Sequence, residues 1–275
     1  MAWFCGRVFV VVTTMPSSIT APKFSNAAPW PWTLSAPPPD DRRRCQVLGV
    51  PVDACRDVCA AALGLHVRGG GRIVTLNAEM TMSARADAAL GQAIATADLV
   101  IPDGAGVVWA LGRQQIRVVK TAGIELAWTL LEYAAAHQWR VALVGASPAV
   151  MATLRAELPQ CIRGLNLALA VDGYKAPEAW PGVEAQLKEL KPDLVLVALG
   201  VPRQETWSER VAAGQPGLWM GVGGSFDVWA GTKKRAPGWM CRMQLEWLYR
   251  LIQEPSRWRR MLSLPAFVLK VIRLG

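Results

Sequence analysis

Asp103 is the side chain in this sequence best placed to accept a proton. It follows the apolar run Leu99-Val100-Ile101, and Gly104 and Gly106 leave room around it. A carboxylate at the end of a buried strand loses hydration, so its pKa rises and it becomes suited to act as a base. The competing reading of the same residue is an N-cap for the helix that follows. Other polar, glycine-containing segments could meet a ligand: Thr75-Leu-Asn77-Ala-Glu79, Gly145-Ala-Ser147, Asp172-Gly-Tyr174, Gly200-Val-Pro202-Arg-Gln204-Glu205 and Gly221-Val-Gly223-Gly224-Ser-Phe226-Asp227. Glycine lets backbone N–H groups approach phosphate, and a following helix N-terminus favours its charge. Taken singly, each such segment is a weak signal, since a strand-ending Gly is more often a tight turn.

Several chemistries lack their signatures. No D-x-D pair occurs, so a metal clamp for a diphosphate is not expected; backbone N–H groups and Arg or Lys would carry that charge. Neither a full G-x-G-x-x-G nor a Walker A sequence is present, which counts against a dinucleotide-dependent oxidoreductase, a methyltransferase or an ATP-binding protein. His66 and His137 are far apart, and Cys55 and Cys59 lack a second ligand pair, so no zinc site is expected and the six Cys read as reduced thiols.

These loops need elements to hold them, and the pattern from Cys45 onward supplies strands alternating with helices. Gln46 to Asp53 reads as a strand and turn, followed by a helix over 54–65. Strands are expected over 72–76, 99–101, 140–144, 165–171, 193–199 and 218–222. Helices are expected from 78 through Ala97, over 124–137 and over 178–190. This alternation predicts an α/β, Rossmann-like parallel sheet with helices on both faces. The candidate segments then fall beyond the carboxyl ends of the strands, where open parallel sheets bind ligands.

Two stretches depart from that body. Residues 1–43 are rich in Pro, Ser and Ala and read as a disordered leader, or as translation assigned from too far upstream. The body spans 44–231. The segment 232–275 holds ten cations and two anions, nearly all of the whole chain's net +9, together with Trp239, Trp247 and Trp258. Leu245, Leu248, Tyr249 and Ile252 fall on one helical face, Pro255 breaks it, and Trp258, Met261 and Leu262 resume it. A basic, Trp-rich helical appendage suits an anionic membrane surface. No run reaches the ~20 apolar residues of a membrane span. Charge alone would also admit a non-enzymatic protein that binds nucleic acid, but the density of Trp, Leu and Met favours lipid over nucleic acid. Self-association to cover the apolar tail away from lipid, giving a homo-oligomer, is a further expectation.

Read together, the segments resemble the WecG/TagA/CpsF family of glycosyltransferases from about Val47 to Leu264. The matching motifs are Thr75 to Glu79, Ala97 to Gly104, Gly173-Tyr174, Ala198 to Glu205, Val222 to Asp227, Ala230-Gly231, Lys234-Arg235-Ala-Pro237, Glu246 to Leu251 and Glu254 to Arg257. The resemblance implies a Rossmann-like domain whose C-terminal appendage reaches the membrane and helps complete the site. It also implies inverting transfer of N-acetylmannosamine, its uronic acid or glucose from a UDP-sugar to a polyprenyl-diphosphate-linked sugar, on the inner face of the plasma membrane. Asp103 then matches the base, Thr75 its neighbour and Gln204 a glutamine near the donor. Asn77, Gly145, Tyr174, Gly200, Pro202, Glu205, Gly223, Gly224, Phe226, Asp227, Arg235, Arg250, Arg257 and Arg260 fall in the substrate-binding set, the arginines facing diphosphate. No cofactor or metal is implied beyond the UDP-sugar itself. One departure stands out. The family commonly has Arg three residues before a glycine where this chain has Lys120-Thr-Ala-Gly123; Lys keeps the charge and loses the bidentate fork. Arg117 is the alternative for that role.

Overall fold

The computed structural model describes residues 41–118, 120–243 and 245–274, excluding the side chains of Arg242, Arg257 and Arg259. Most of the expected leader therefore lies outside the described residues. Its last residues belong to the fold: Arg42 donates to the Asp98 carbonyl at 2.6 Å.

The stretch expected as a strand and turn is a complete hairpin, β1 (Arg43–Val47) and β2 (Val50–Ala54), antiparallel and separate from the main sheet. Leu48 and Gly49 both have positive φ, as the tight two-residue turn requires. The main sheet comprises β3 (Gly70–Leu76), β4 (Leu99–Pro102), β5 (Arg140–Gly145), β6 (Asn166–Val171), β7 (Leu194–Ala198) and β8 (Gly217–Gly221). All its pairings are parallel, in the order β4-β3-β8-β7-β5-β6. The hairpin lies along the β4 edge. Asp53, 3% exposed, accepts the Val100 N–H at 2.7 Å and is held by Arg44 at 2.8 Å.

The helices of the body are α1 (Val58–Val67), α2 (Ala78–Ala86), α3 (Ala88–Ala95), α4 (Ala105–Arg113), α5 (Gly123–Ala136), α6 (Pro148–Cys161), α7 (Trp180–Leu190), α8 (Arg203–Val211) and α9 (Ser225–Trp229). The single helix expected from 78 through Ala97 is two. Asp87 takes an extended conformation and its carboxylate caps Ala89 and Leu90, restarting the helix at a new angle. Strand residues alternate between the sheet's faces. Ile73, Ile101, Leu143, Leu196 and Met220 pack with α1, α5, α6 and α9. On the opposite face Val74, Leu76 and Val100 meet α2, α3 and α4, whereas Val144, Val197 and Trp219 meet α7 and α8. Each large side chain buried in this way contributes roughly 1.5–3 kcal/mol.

The C-terminal region forms α10 (Gly238–Arg242), α11 (Glu246–Gln253), α12 (Trp258–Met261) and α13 (Ser263–Leu274), with a single 3₁₀ turn over Pro255–Arg257 where the proline was expected to break the helix. The region is divided in character. Phe267 and Val271 are 1% and 2% exposed and join the core formed by α2 and α4, so α13 is docked on the body. Trp239, Trp247, Ile252, Trp258, Leu262, Leu269 and Ile272 are exposed.

Candidate functional site

Strand connections decide where a crevice opens. The chain leaves β5 toward β6 and leaves β7 toward β8, in opposite directions, so the strand order reverses between β5 and β7. Gly145 and Gly173 meet at these strand ends, where a Cβ at Gly173 would lie 3.2 Å from the Gly145 Cα; Gly200 follows the end of β7, with open space beside it. Tyr174 projects from this cluster, 77% exposed, on a turn fixed by Asp172, which accepts the Tyr174 N–H at 3.1 Å and pairs with Lys175 at 3.0 Å. Pro202, after a cis peptide bond, leads into α8.

Beside it stands the β8 end. Gln204 is 2% exposed; its Oε1 accepts the Gly223 N–H at 3.2 Å and its Nε2 donates to Glu205 Oε1 at 2.7 Å. This fixes which way the amide points. Gly221 must lack a side chain here, since a Cβ would lie 2.7 Å from the Gln204 amide nitrogen. Glu205 is 4% exposed, its Oε2 is buried with no partner among the described residues, and burial pushes its carboxyl up to about 7. Asp227, next to Gly224, ties down the following turn by accepting from Lys233 N–H at 3.1 Å and Thr232 Oγ1 at 2.9 Å through its carbonyl. Phe226 is fully buried against Trp229; it supports the glycine loop from the core and offers no face to a ligand.

The third cluster forms where β3 and β4 end. Asn77 caps α2, its Oδ1 accepting the Met80 N–H at 2.8 Å. Asp103 does not cap α4: Gly104 occupies that position and no side chain bonds the helix start. Instead the Asp103 carboxylate faces the Gly123 N–H at the start of α5, which acts to lower its pKa. Gly123 presses so closely on Thr75 that a Cβ would lie 2.7 Å from the Thr75 Cγ2, which explains why only glycine suits the end of Lys120-Thr-Ala-Gly123. Asp103 is held above the usual carboxylate range, chiefly by desolvation. The nearby charges work in both directions: Arg250 and Lys120 oppose the rise, and Glu246 adds to it.

The sequence-predicted residues Thr75, Asp103, Lys120 and Arg250 are thus brought together, and α11 is the element that closes the group. Lys120 Nζ lies 2.6 Å from Glu246 Oε1. Other ion pairs tie the C-terminal region to the rim: Arg235 to Glu125 of α5, Arg260 to Glu79 of α2 at 3.8 Å, and Lys233 to Asp227 at 3.5 Å. The Arg257 side chain lies outside the described residues. Sequence reasoning missed Glu246 as a site residue, although its spacing four before Arg250 puts both on one helical face. It also missed Glu125 and Glu79 as partners of the arginines. Among the described residues no group of three or more His, Cys, Asp or Glu is arranged to hold a metal ion. A separate groove of about 370 Å³, lined by Gln46, Arg85, Gln114 and Val271 among others, lies toward the far end of α4 and shares none of these groups.

An open, wholly parallel six-stranded sheet covered by helices, with a desolvated carboxylate at one strand end acted on by Arg250 from α11 and Lys120 from a loop, defines an α/β protein of the Rossmann-like class. Residues 45–274 match the Glycosyl transferase WecG/TagA/CpsF family, and the chain belongs to it. It is 37% identical over 209 residues to an N-acetylglucosaminyldiphosphoundecaprenol N-acetyl-beta-D-mannosaminyltransferase of Bacillus spizizenii (strain ATCC 23059 / NRRL B-14472 / W23), covering 74% of this chain and 79% of that protein. A protein of the same name from Bacillus subtilis (strain 168) is 36% identical, with 74% and 80% covered.

Proposed function

We propose that this glycosyltransferase moves a hexosyl group, N-acetylmannosamine or a close relative, from a UDP-sugar to a polyprenyl-diphosphate-linked sugar, with inversion, in the synthesis of a cell-surface polysaccharide. The observation that carries this reading is Asp103: a carboxylate made basic by burial, beside Thr75, with Lys120 and Arg250 acting on it. The names of the two Bacillus relatives support the N-acetylmannosamine and the lipid-linked N-acetylglucosamine as sugar and acceptor. Transfer of glucose is the second reading within the same chemistry.

In the proposed step the acceptor hydroxyl oxygen attacks the anomeric carbon as the bond to UDP breaks. The hydroxyl proton passes to Asp103, and the departing diphosphate takes the bonding electron pair. Arg250, Arg257 and Arg260 are the candidates to balance its charge, with Lys120 in the position where the family commonly has Arg. No metal is required in this reading. A base of this kind accelerates transfer on the order of 10²- to 10⁴-fold. The exposed Trp and Leu side chains after residue 238, among cations, suit the inner face of the plasma membrane, where the acceptor would be presented. No helix among the described residues is long and apolar enough to cross a membrane.

The test is UDP release from UDP-N-acetylmannosamine, UDP-glucose and UDP-N-acetylglucosamine, each with a short polyprenyl-diphosphate-GlcNAc or -glucose acceptor, with and without EDTA. Acceptor-dependent release from one donor, unchanged by EDTA and lost in Asp103→Ala, is expected and names the sugar. Full activity in Asp103→Ala removes Asp103 from the role; release abolished by EDTA overturns the metal-independent step.

A further inference from the structure

The ion pair between Lys120 and Glu246 joins two segments far apart in sequence. At 2.6 Å, with the two side chains 21% and 25% exposed, it is sheltered from water, unlike most surface pairs. Lys120 stands three residues before Gly123, whose N–H faces the Asp103 carboxylate and acts to lower its pKa, and where a Cβ would lie 2.7 Å from the Thr75 Cγ2. The loop that Glu246 grips therefore runs directly into the backbone packed against Asp103 and Thr75. Glu246 is also the first residue of α11, where the helix dipole favours a carboxylate. One turn further, on the same face, Arg250 supplies the positive charge that acts most strongly on Asp103. The Glu246 contact anchors the start of α11 and Gln253 ties its end to the Lys234 backbone, while Trp247 and Ile252 are exposed and none of the helix's residues is fully buried.

We propose that Glu246 is a positioning residue for the Asp103 centre: by gripping Lys120 it docks α11 on the loop that runs into the backbone packed against Asp103, places Arg250 beside the reacting groups, and brings its own negative charge to them. This rests on the proposed transferase reading for its catalytic meaning, though not for its geometry. The charged groups acting on Asp103 are Glu246 and Arg250 from α11 and Lys120 from the loop. Glu79 of α2 is engaged with Arg260, and the first turn of α4 carries no acidic residue. Glu246 raises the basicity of Asp103 and Arg250 lowers it, so removing the Glu246 charge alone makes Asp103 ionise more readily.

The experiment uses the full chain with Glu246→Gln, which keeps an acceptor for Lys120 without the charge, and Glu246→Ala, which keeps neither. The Asp103 carboxyl is titrated by ¹³C NMR, its signal assigned by its disappearance in Asp103→Asn. In Glu246→Gln the midpoint is expected to fall by roughly half a unit or more, and the acid limb of kcat/KM moves with it. In Glu246→Ala, kcat falls on the order of 10- to 100-fold as Arg250 loses its place. An unchanged Asp103 midpoint in Glu246→Gln overturns the proposal, whatever happens to the rate. A shifted midpoint in a protein that transfers no sugar sustains the coupling and defeats the transferase reading instead.

Discussion

Two carboxylates have raised pKa values, Asp103 after β4 and Glu205 in α8, but they behave differently. Asp103 is partly open to solvent and surrounded by charges of both signs, so its ionised form is reachable and useful. The rate of transfer is expected to rise with pH as Asp103 ionises, with an acid limb above the usual carboxylate range. Glu205 is sealed, with one oxygen unpaired, and its carboxyl stands at about 7. Between the unfolded value near 4.5 and the folded value about 7, the folded chain keeps a proton that the unfolded chain releases. Stability from this group is therefore lost as pH rises across that window, by up to roughly 3 kcal/mol. Glu205→Gln, which preserves an acceptor for Gln204, is expected to raise Tm at pH 8 and leave it nearly unchanged at pH 4; equal shifts at both would remove the linkage. Asp103 was legible in the sequence because an apolar strand followed by glycines implies both burial and space. Glu205 was legible only as a motif member, since its desolvation depends on β8 ending against α8, a contact that no local pattern encodes.

At the scale of elements, the buried strands were legible because apolar runs of four to seven residues have few alternatives in an α/β chain. The helices over 105–113, 148–161 and 203–211 are not legible in the same way, because their polar openings resemble ligand loops; in the structure each loop passes directly into a helix. Helix α13 was also missed. Pro265 suggests a break, yet it lies within the first turn, where proline costs little. Apolar residues then occur all round the helix, which hides the stripe that docks. Phe267 is that stripe's main anchor, facing Gly106 with a contact of 3.4 Å to the position a Cβ would take. Phe267→Ala is expected to cost about 3–5 kcal/mol, read in urea unfolding, and to expose the segment after Ser263 to limited proteolysis. A loss below about 1 kcal/mol would mean that α13 docks without it.

For the molecule as a whole, charge and apolar exposure coincide in one region. Vesicle flotation is expected to require acidic lipid, to weaken as salt rises, and to fall further in Trp239→Ala/Trp258→Ala. Equal flotation on zwitterionic vesicles would leave only the apolar contribution. The asymmetry of charge was plain in the sequence. The ion pairs that spend part of it on the site's own rim were not, because Lys120–Glu246 and Arg235–Glu125 join residues more than a hundred positions apart. The sheet carries a different asymmetry. Its β4 border, which ends in Asp103, is stoppered by the hairpin and by Asp53 at the Val100 amide, so no foreign strand can extend the ladder there. At the opposite border of the main sheet, β6 has no strand paired to its outer side among the described residues. A second copy that added a strand to the main sheet would therefore meet it at β6, at the border away from the strand that ends in Asp103.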